Sequence, residues 1–256
     1  MDQKRFLKNL TVSGVNLIVG SGHNVLSSVV NSIIGGELNT LRSSNSFIGG
    51  GSINSISSGS FASTIINGEL NQISTNSPNA IIIGGESNGI TSNSQYSTIV
   101  GGLSNTIRSS TTSFIGAGDS NDIRSGSYNS NIGGGSSNTI LTGAYQSNII
   151  GGTSNTIGVN AFLSTIGGGR RATVLSNHSG ASILADAQDR DHYSKGPNTC
   201  SLDFINGVYL RLPSFSGTKN QSGNPGELAI SGSYLYVCTG TDGSGWARMQ
   251  LTDNNF

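Results

Sequence analysis

Residues of one parity recur along most of this chain, and glycine punctuates the pattern. In the stretch Ser147-Asn148-Ile149-Ile150-Gly151-Gly152, continued by Asn155-Thr156-Ile157, the recurring positions are Ser147, Ile149, Asn155 and Ile157. Asn148, Ile150 and the Thr153-Ser154 pair vary from copy to copy. A period of two is the signature of a strand with one face buried. The glycines argue against helix, where each costs about 1 kcal/mol relative to alanine. In a β-structure the glycine pair instead permits a sharp bend at positive φ.

The unit repeats along two thirds of the chain. Ile18, Ile33, Ile48, Ile65, Ile82, Ile99, Ile115, Ile132, Ile149 and Ile166 stand 15 to 17 residues apart. A second apolar column follows each by eight residues: Leu26, Leu41, Ile56, Ile73, Ile90, Ile107, Ile123, Ile140, Ile157 and Val174. Two residues before it comes an asparagine, at Asn24, Asn39, Asn54, Asn71, Asn88, Asn105, Asn121, Asn138 and Asn155, with Ala172 in the tenth unit. A fixed period of this kind marks stacked structural repeats. Two short strands and two turns account for each unit, so the expected fold is all-β: a β-solenoid or β-roll of about ten 15–17-residue rungs. Inside it Ile stacks on Ile and Asn on Asn, each amide placed to bond the next rung. Small residues such as Ser46, Ser63, Ser97 and Ser147 let the walls approach. Length changes fall after the second apolar column, which reads as an outer loop where insertions cost least. The domain reading is 1–14 as an N-terminal attachment segment, 15–175 as the repeat shaft and 176–256 as a small C-terminal β tip.

Composition changes this picture in one respect. A chain with 38 glycines and 10% charged residues often stays disordered, but strict isoleucine columns argue for order. Low charge suits stacked rungs, because a charged column would set like charges about 4.8 Å apart. Only eight charged residues fall between residues 26 and 169. Two large apolar residues per rung offset less than the cost of ordering the whole rung. A second buried face is therefore expected. Val19, Ile34, Ile66, Ile83, Val100 and Ile150 point away from the first column and would supply it in a parallel homotrimer.

The repeated pattern S-x-I-[IVG]-G-G-x-x-N-x-I resembles the head repeats of trimeric autotransporter adhesins and related repeats of phage and viral tail-fibre proteins. The resemblance covers about residues 15 to 175 and implies a left-handed trimeric β-roll. Autotransporters also carry a signal peptide and a membrane anchor. Neither is read here, so a virion fibre is the closer match. The ending Gly226-Glu227-Leu228 through Tyr234-Leu235-Tyr236-Val237-Cys238 to Trp246-Ala247-Arg248 is similar to the β-structured tip of many such fibres. Before it, Ser201 to Leu212 alternates as a strand with a hairpin signal at Asn206-Gly207, and a Gly/Ser/Asn link runs to Pro225.

Zero net charge disfavours nucleic acid and anionic membranes as partners. No apolar run approaches the roughly 18 residues of a membrane span. No cofactor is expected. Asp186, Asp189, Asp191 and His192 are candidate ligands for a divalent cation, against the plainer reading of a salt-bridged turn with Arg190 and Lys195. Arg170-Arg171 read as an end cap. The glycine clusters lack the Lys-Ser/Thr of a phosphate loop. Glu37, Glu69 and Glu86 share one repeat position but are separated by whole rungs and non-acidic copies, and a glycosidase needs two carboxylates on one cleft. Asp186, Asp189, Asp191 and Asp203 are the better carboxylates, and enzyme activity is not expected. Phe61, Tyr96, Tyr128, Tyr145 and Phe162 form an aromatic stripe on the outer loop, open to sugar stacking or to packing on a neighbouring chain. Tyr234, Tyr236 and Trp246 are receptor-contact candidates or tip core. Cys200 and Cys238 are compatible with a bridge or with two thiols.

The functional expectation is a structural virion fibre or adhesin. Its expected partners are itself, other fibre proteins through its N-terminus, and a host surface glycan or protein. A tailspike-like polysaccharide depolymerase and a purely architectural connector are the alternatives.

Overall fold

A computed structural model of the chain describes residues 10–13, 16–26, 30–205, 227–231, 234–239 and 245–250. Among them every regular element is a strand, and no helix is long and apolar enough to cross a membrane. The chain passes back and forth between two sheets. One has thirteen strands and opens with Leu10–Ser13 paired antiparallel to Asn16–Val19. All later pairings in it are parallel, from Ser32–Ile33 through Thr98–Ile99 to Cys200–Asp203. The other has eleven parallel strands, from Asn24–Val25 to His192–Tyr193. The result is a parallel β-solenoid of about eleven turns.

Equivalent residues of successive rungs face each other in register, as Ile82 faces Ile99 and Ile107 faces Ile123. Ile33 to Ile166 in the first sheet, and Leu41 to Val174 in the second, are fully buried within the single chain. The core is therefore a double file of isoleucine, one side chain from each sheet per rung.

Three details differ from the sequence reading. The first rung is one residue shorter between its sheets, through Gly20-Ser21-Gly22-His23. Val25 therefore pairs with Leu41 and takes the apolar position, while Leu26 is 66% exposed. His23, not Asn24, falls at the asparagine position. Second, the solenoid does not end at residue 175. Ile183 pairs with Ile166, and Ser182–Ala185 pairs in turn with Cys200–Asp203. The boundary between compact units falls at Asn206/Gly207. Third, the return segment is not a loose outer loop. It holds a further file of small side chains, Ser60, Ser77, Ser94, Ser110, Ser127, Ala144 and Ala161, all fully buried between two turns.

The buried polar files solve a backbone problem. At a corner the strand ladder is interrupted, and an unpaired buried N–H is costly. The side chain one rung below accepts it. Asn54, Asn71 and Asn88 each donate their N–H to the Oδ1 of the preceding asparagine at 2.9–3.0 Å. Ser147 and Ser164 do the same to the preceding serine Oγ, at 3.1 and 3.0 Å. The asparagine NH2 group turns to glycine carbonyls: Asn88 Nδ2 donates to Gly84 O (3.0 Å) and Gly102 O (2.9 Å). The expected amide-to-amide ladder is thus mainly an amide-to-backbone ladder. Within this buried file, direct amide–amide bonds join Asn88, Asn105, Asn121 and Asn138 in sequence. Gly102 shows why glycine recurs beside the asparagine. Its φ is 90°, and a Cβ there would strike the Gly118 carbonyl oxygen.

In the second unit, Leu228–Ser231, Tyr234–Cys238 and Trp246–Gln250 form an antiparallel three-stranded sheet. The hairpin expected at Asn206-Gly207, the link to Pro225 and residues 1–9 of the attachment segment lie outside the described residues.

Candidate functional site

The densest polar constellation of the solenoid closes its C-terminal end. His192 pairs with Ala172 and so stands in the asparagine file. Its side chain is fully buried. Its Nδ1–H donates to Asp203 Oδ2 (2.7 Å), while Nε2 has no hydrogen-bond partner and lies 3.7 Å from Asp186 Oδ1. Arg190 spans both carboxylates, at 3.5 Å from Asp186 and 2.9 Å from Asp203. The hydrogen bond from His192, aided by its charge and that of Arg190, holds the Asp203 carboxyl below its ordinary range. Asp186 is also lowered, chiefly by the backbone N–H of Ile205, which reaches Oδ2 at 2.6 Å. Beside this network a pocket of ≈ 360 Å³ is lined by Ile183, His192, Tyr193, Lys195, Cys200, Ser201, Leu202 and Asp203.

The other two acidic candidates turn outward. Asp189 meets Arg171 at 3.1 Å and Arg170 at 3.5 Å, and Asp191 meets Arg171 at 2.6 Å. These contacts, led by the hydrogen bond to Asp189, raise the Arg171 pKa. The four proposed cation ligands therefore do not converge. Among the described residues no group of three or more His, Cys, Asp or Glu side chains is placed to hold one metal ion. The plainer reading of a salt-bridged turn fits the geometry in part: Arg190 is a partner as expected and Arg170 and Arg171 join it, while Lys195 makes no ion pair among the described residues. Sequence reasoning missed the His192–Asp203 pair. The two residues are eleven apart, and only the longer last crossover brings them together.

His23 closes the other end of the asparagine file. Asn39 donates its N–H to His23 Nδ1 (3.2 Å), and His23 Nε2–H donates to Val19 O (3.0 Å). The imidazole accepts from the next rung and donates four residues back, which is the hydrogen-bonding habit of the asparagines above it.

The carboxylate file at the glycine corner differs from expectation. Glu69 and Glu86 are direct bridge partners on adjacent rungs, and Glu37 and Asp119 lie in the same file. A shallow trough of ≈ 750 Å³ along this corner is lined in part by Glu37 and Glu69. The avoidance of like-charge neighbours is thus relaxed at this exposed edge.

The aromatic stripe is shorter than the sequence suggested. Tyr96 sits at the positive-φ position of its turn, as Asn129, Gln146 and Leu163 do in theirs, and so falls outside the file. The continuous part is Tyr128, Tyr145 and Phe162. Tyr145 and Phe162 stack with centroids 4.8 Å apart and planes within 4°. Rings stacked on one another offer a ligand their edges rather than their faces. Tyr234 and Tyr236 lie on one side of their strand with centroids 6.3 Å apart, opposite Gln250 and Arg248, and Trp246 pairs with the buried Cys238. Cys200 is exposed.

The two outer faces of the solenoid are unlike. On the first sheet the outward positions carry no charge among the described residues, and Leu17, Ile34, Ile66, Ile81, Ile83 and Phe114 are exposed there. On the second sheet they are mostly hydroxyl and amide side chains, crossed by an Arg108–Asp122–Arg124 chain at 2.8 and 2.9 Å. No family model matches the chain, and no curated protein matches it. The class defined by the geometry is that of the parallel β-solenoids, with an antiparallel β unit following.

Proposed function

We propose that this chain is a non-enzymatic structural fibre component that assembles as a parallel homotrimer and attaches a particle to a cell surface. The observation that carries this reading is the uncharged, apolar outer face of the first sheet, which a soluble solenoid working alone has no reason to keep. Eleven turns at about 4.8 Å each make a solenoid of roughly 50 Å, tied internally by files of isoleucine, asparagine and serine. Such an element separates two ends at a fixed distance. Three copies side by side would present three identical weak contacts, and multivalency would raise avidity well above that of one contact. Tyr234, Tyr236 and Trp246 in the C-terminal sheet are the proposed receptor contacts, and a surface glycan or protein is the proposed receptor.

The test is binding of the purified full chain to cells, with and without alanine at Tyr234 and Trp246. Loss of binding in the variants supports attachment through this unit. Unchanged binding places the contact elsewhere, and no binding by the parent favours an architectural connector. The adjacent Glu69 and Glu86 give the depolymerase reading its one foothold. Release of reducing ends from a bacterial surface polysaccharide by the parent, and not by Glu69→Gln, would establish that reading instead.

A further inference from the structure

We infer that the contact between copies of this chain is confined to the first seven rungs, on the outer face of the first sheet from Leu17 to Phe114, and that the copies are not in contact along the same face beyond it. This rests on the homo-oligomer proposed above and adds where the contact begins and ends.

The outward positions of this sheet change character midway. From Asn16–Val19 to Phe114–Ile115, each strand places one outward residue before its buried isoleucine and one after it. In this half they include Ile34, Ile66, Ile81, Ile83, Val100 and Phe114, each between 37% and 49% exposed. The next corner adds Leu38, Ile53 and Leu70, also exposed, each held at a φ near 56° that non-glycine residues rarely adopt. In the later rungs the equivalent sheet positions become Asn131, Gly133, Asn148, Thr165, Gly167 and Ser182, with Ile150 and, in the last two rungs, Leu184 and Leu202 as the apolar exceptions. The corner position becomes Ser87 and then serine through Ser154. Asn131 Nδ2 donates to Asn148 Oδ1 across the rungs at 2.8 Å, so these outward amides satisfy one another and need no partner chain.

A second copy is the occupant that suits the apolar half. The sheet face itself carries no charge with which to select a different partner, so like meets like on it without repulsion, and the carboxylates of Glu37, Glu69 and Glu86 stand at its rim on the flanking corner. Together with the flanking corner it measures about 29 Å by roughly 20 Å from strand spacing and side-chain reach. Two copies meeting there would bury on the order of 1,200 Å² in total, above the roughly 1,000 Å² that separates specific from incidental contacts. Beyond Phe114 the exposed apolar side chains of this face are reduced to Ile150, Leu184 and Leu202, with Ile150 separated from the other two by the Thr165/Gly167 rung.

The test is native mass and light scattering of the full chain and four single variants at matched concentration. Ile83→Glu and Val100→Glu lie in the apolar half, Asn148→Glu and Thr165→Glu beyond it. All four side chains point outward, and circular dichroism verifies that each variant keeps its strand content. The parent is expected at a multiple of 26.2 kDa. The first two variants are expected to weaken assembly about 100-fold or more, because each buries an unpaired carboxylate, and the last two to assemble as the parent does. Dissociation by Asn148→Glu or Thr165→Glu, or full assembly of folded Ile83→Glu and Val100→Glu, would overturn the inference while leaving the homo-oligomer standing. A parent that stays at 26.2 kDa would remove both.

Discussion

Asn105 shows what one residue contributes to this fold. Its Oδ1 accepts the N–H of Asn121 at 3.0 Å, and its Nδ2 donates to Gly101 O at 2.8 Å and Gly118 O at 2.9 Å. Alanine would leave those groups buried and unsatisfied, at a cost of about 1–3 kcal/mol. Aspartate keeps the acceptor but loses the donors and buries a charge, so Asn105→Asp should lower the denaturant midpoint further than Asn105→Ala. Ile107→Val removes one methylene from a fully buried position and should cost roughly 1 kcal/mol. Gly102→Ala should destabilise more than a typical surface change, since it meets both a positive φ and the Gly118 carbonyl. Urea titrations of the three sites would separate a polar ladder from an apolar one. If Asn105→Ala costs nothing, the ladder is decoration.

At the scale of an element, the end rung is where acid should act first. Asp186 and Asp203 both titrate below their ordinary value in the folded chain. A carboxyl depressed in this way stabilises the fold above its unfolded pKa, near 3.9, and that contribution is lost as pH falls through the lower folded value. Below about pH 4, amide exchange should therefore rise in Ser182–Ala185 and Cys200–Asp203 before it rises in the central rungs. Asp203→Asn should remove much of that acid sensitivity, and equal exchange in all rungs would show that these carboxylates do not set it. A histidine stands in the asparagine file towards each end, with different partners: His23 accepts the N–H of Asn39, whereas His192 follows Ala172 and gives its ring N–H to Asp203. Only the register of the rungs puts them in one file.

For the whole molecule, a solenoid couples each rung to its neighbours alone. Ile183→Ala, a loss of about 2–5 kcal/mol at a buried site, should loosen Thr165–Ile166 and Cys200–Asp203 while leaving Ile48 and Ile56 protected from exchange. Uniform loosening along the array would instead mark one cooperative block. The same logic bears on the proposed assembly. A contact between copies over the first seven rungs would protect those rungs in a concentration-dependent way, and the rungs beyond Phe114 would not respond.

The repeat itself was written in the chain. Isoleucine at a spacing of 15 to 17, glycine before asparagine, and alternation within each unit were enough to give parallel stacked rungs with the Ile and Asn files inside. These features are local and recur, and repetition removes the ambiguity that a single short strand would carry. What repetition could not give was decided where it fails. In the first rung one missing residue moved Val25 and His23 into the files. In the last, a longer crossover from Ala185 to His192 hid a full turn and carried Asp186, Arg190, His192 and Asp203 into one network. Which side chain accepts a corner N–H was also beyond the sequence, because that depends on where the rung below leaves its oxygen. Periodicity fixes a residue's face, and only the folded stack fixes its partner.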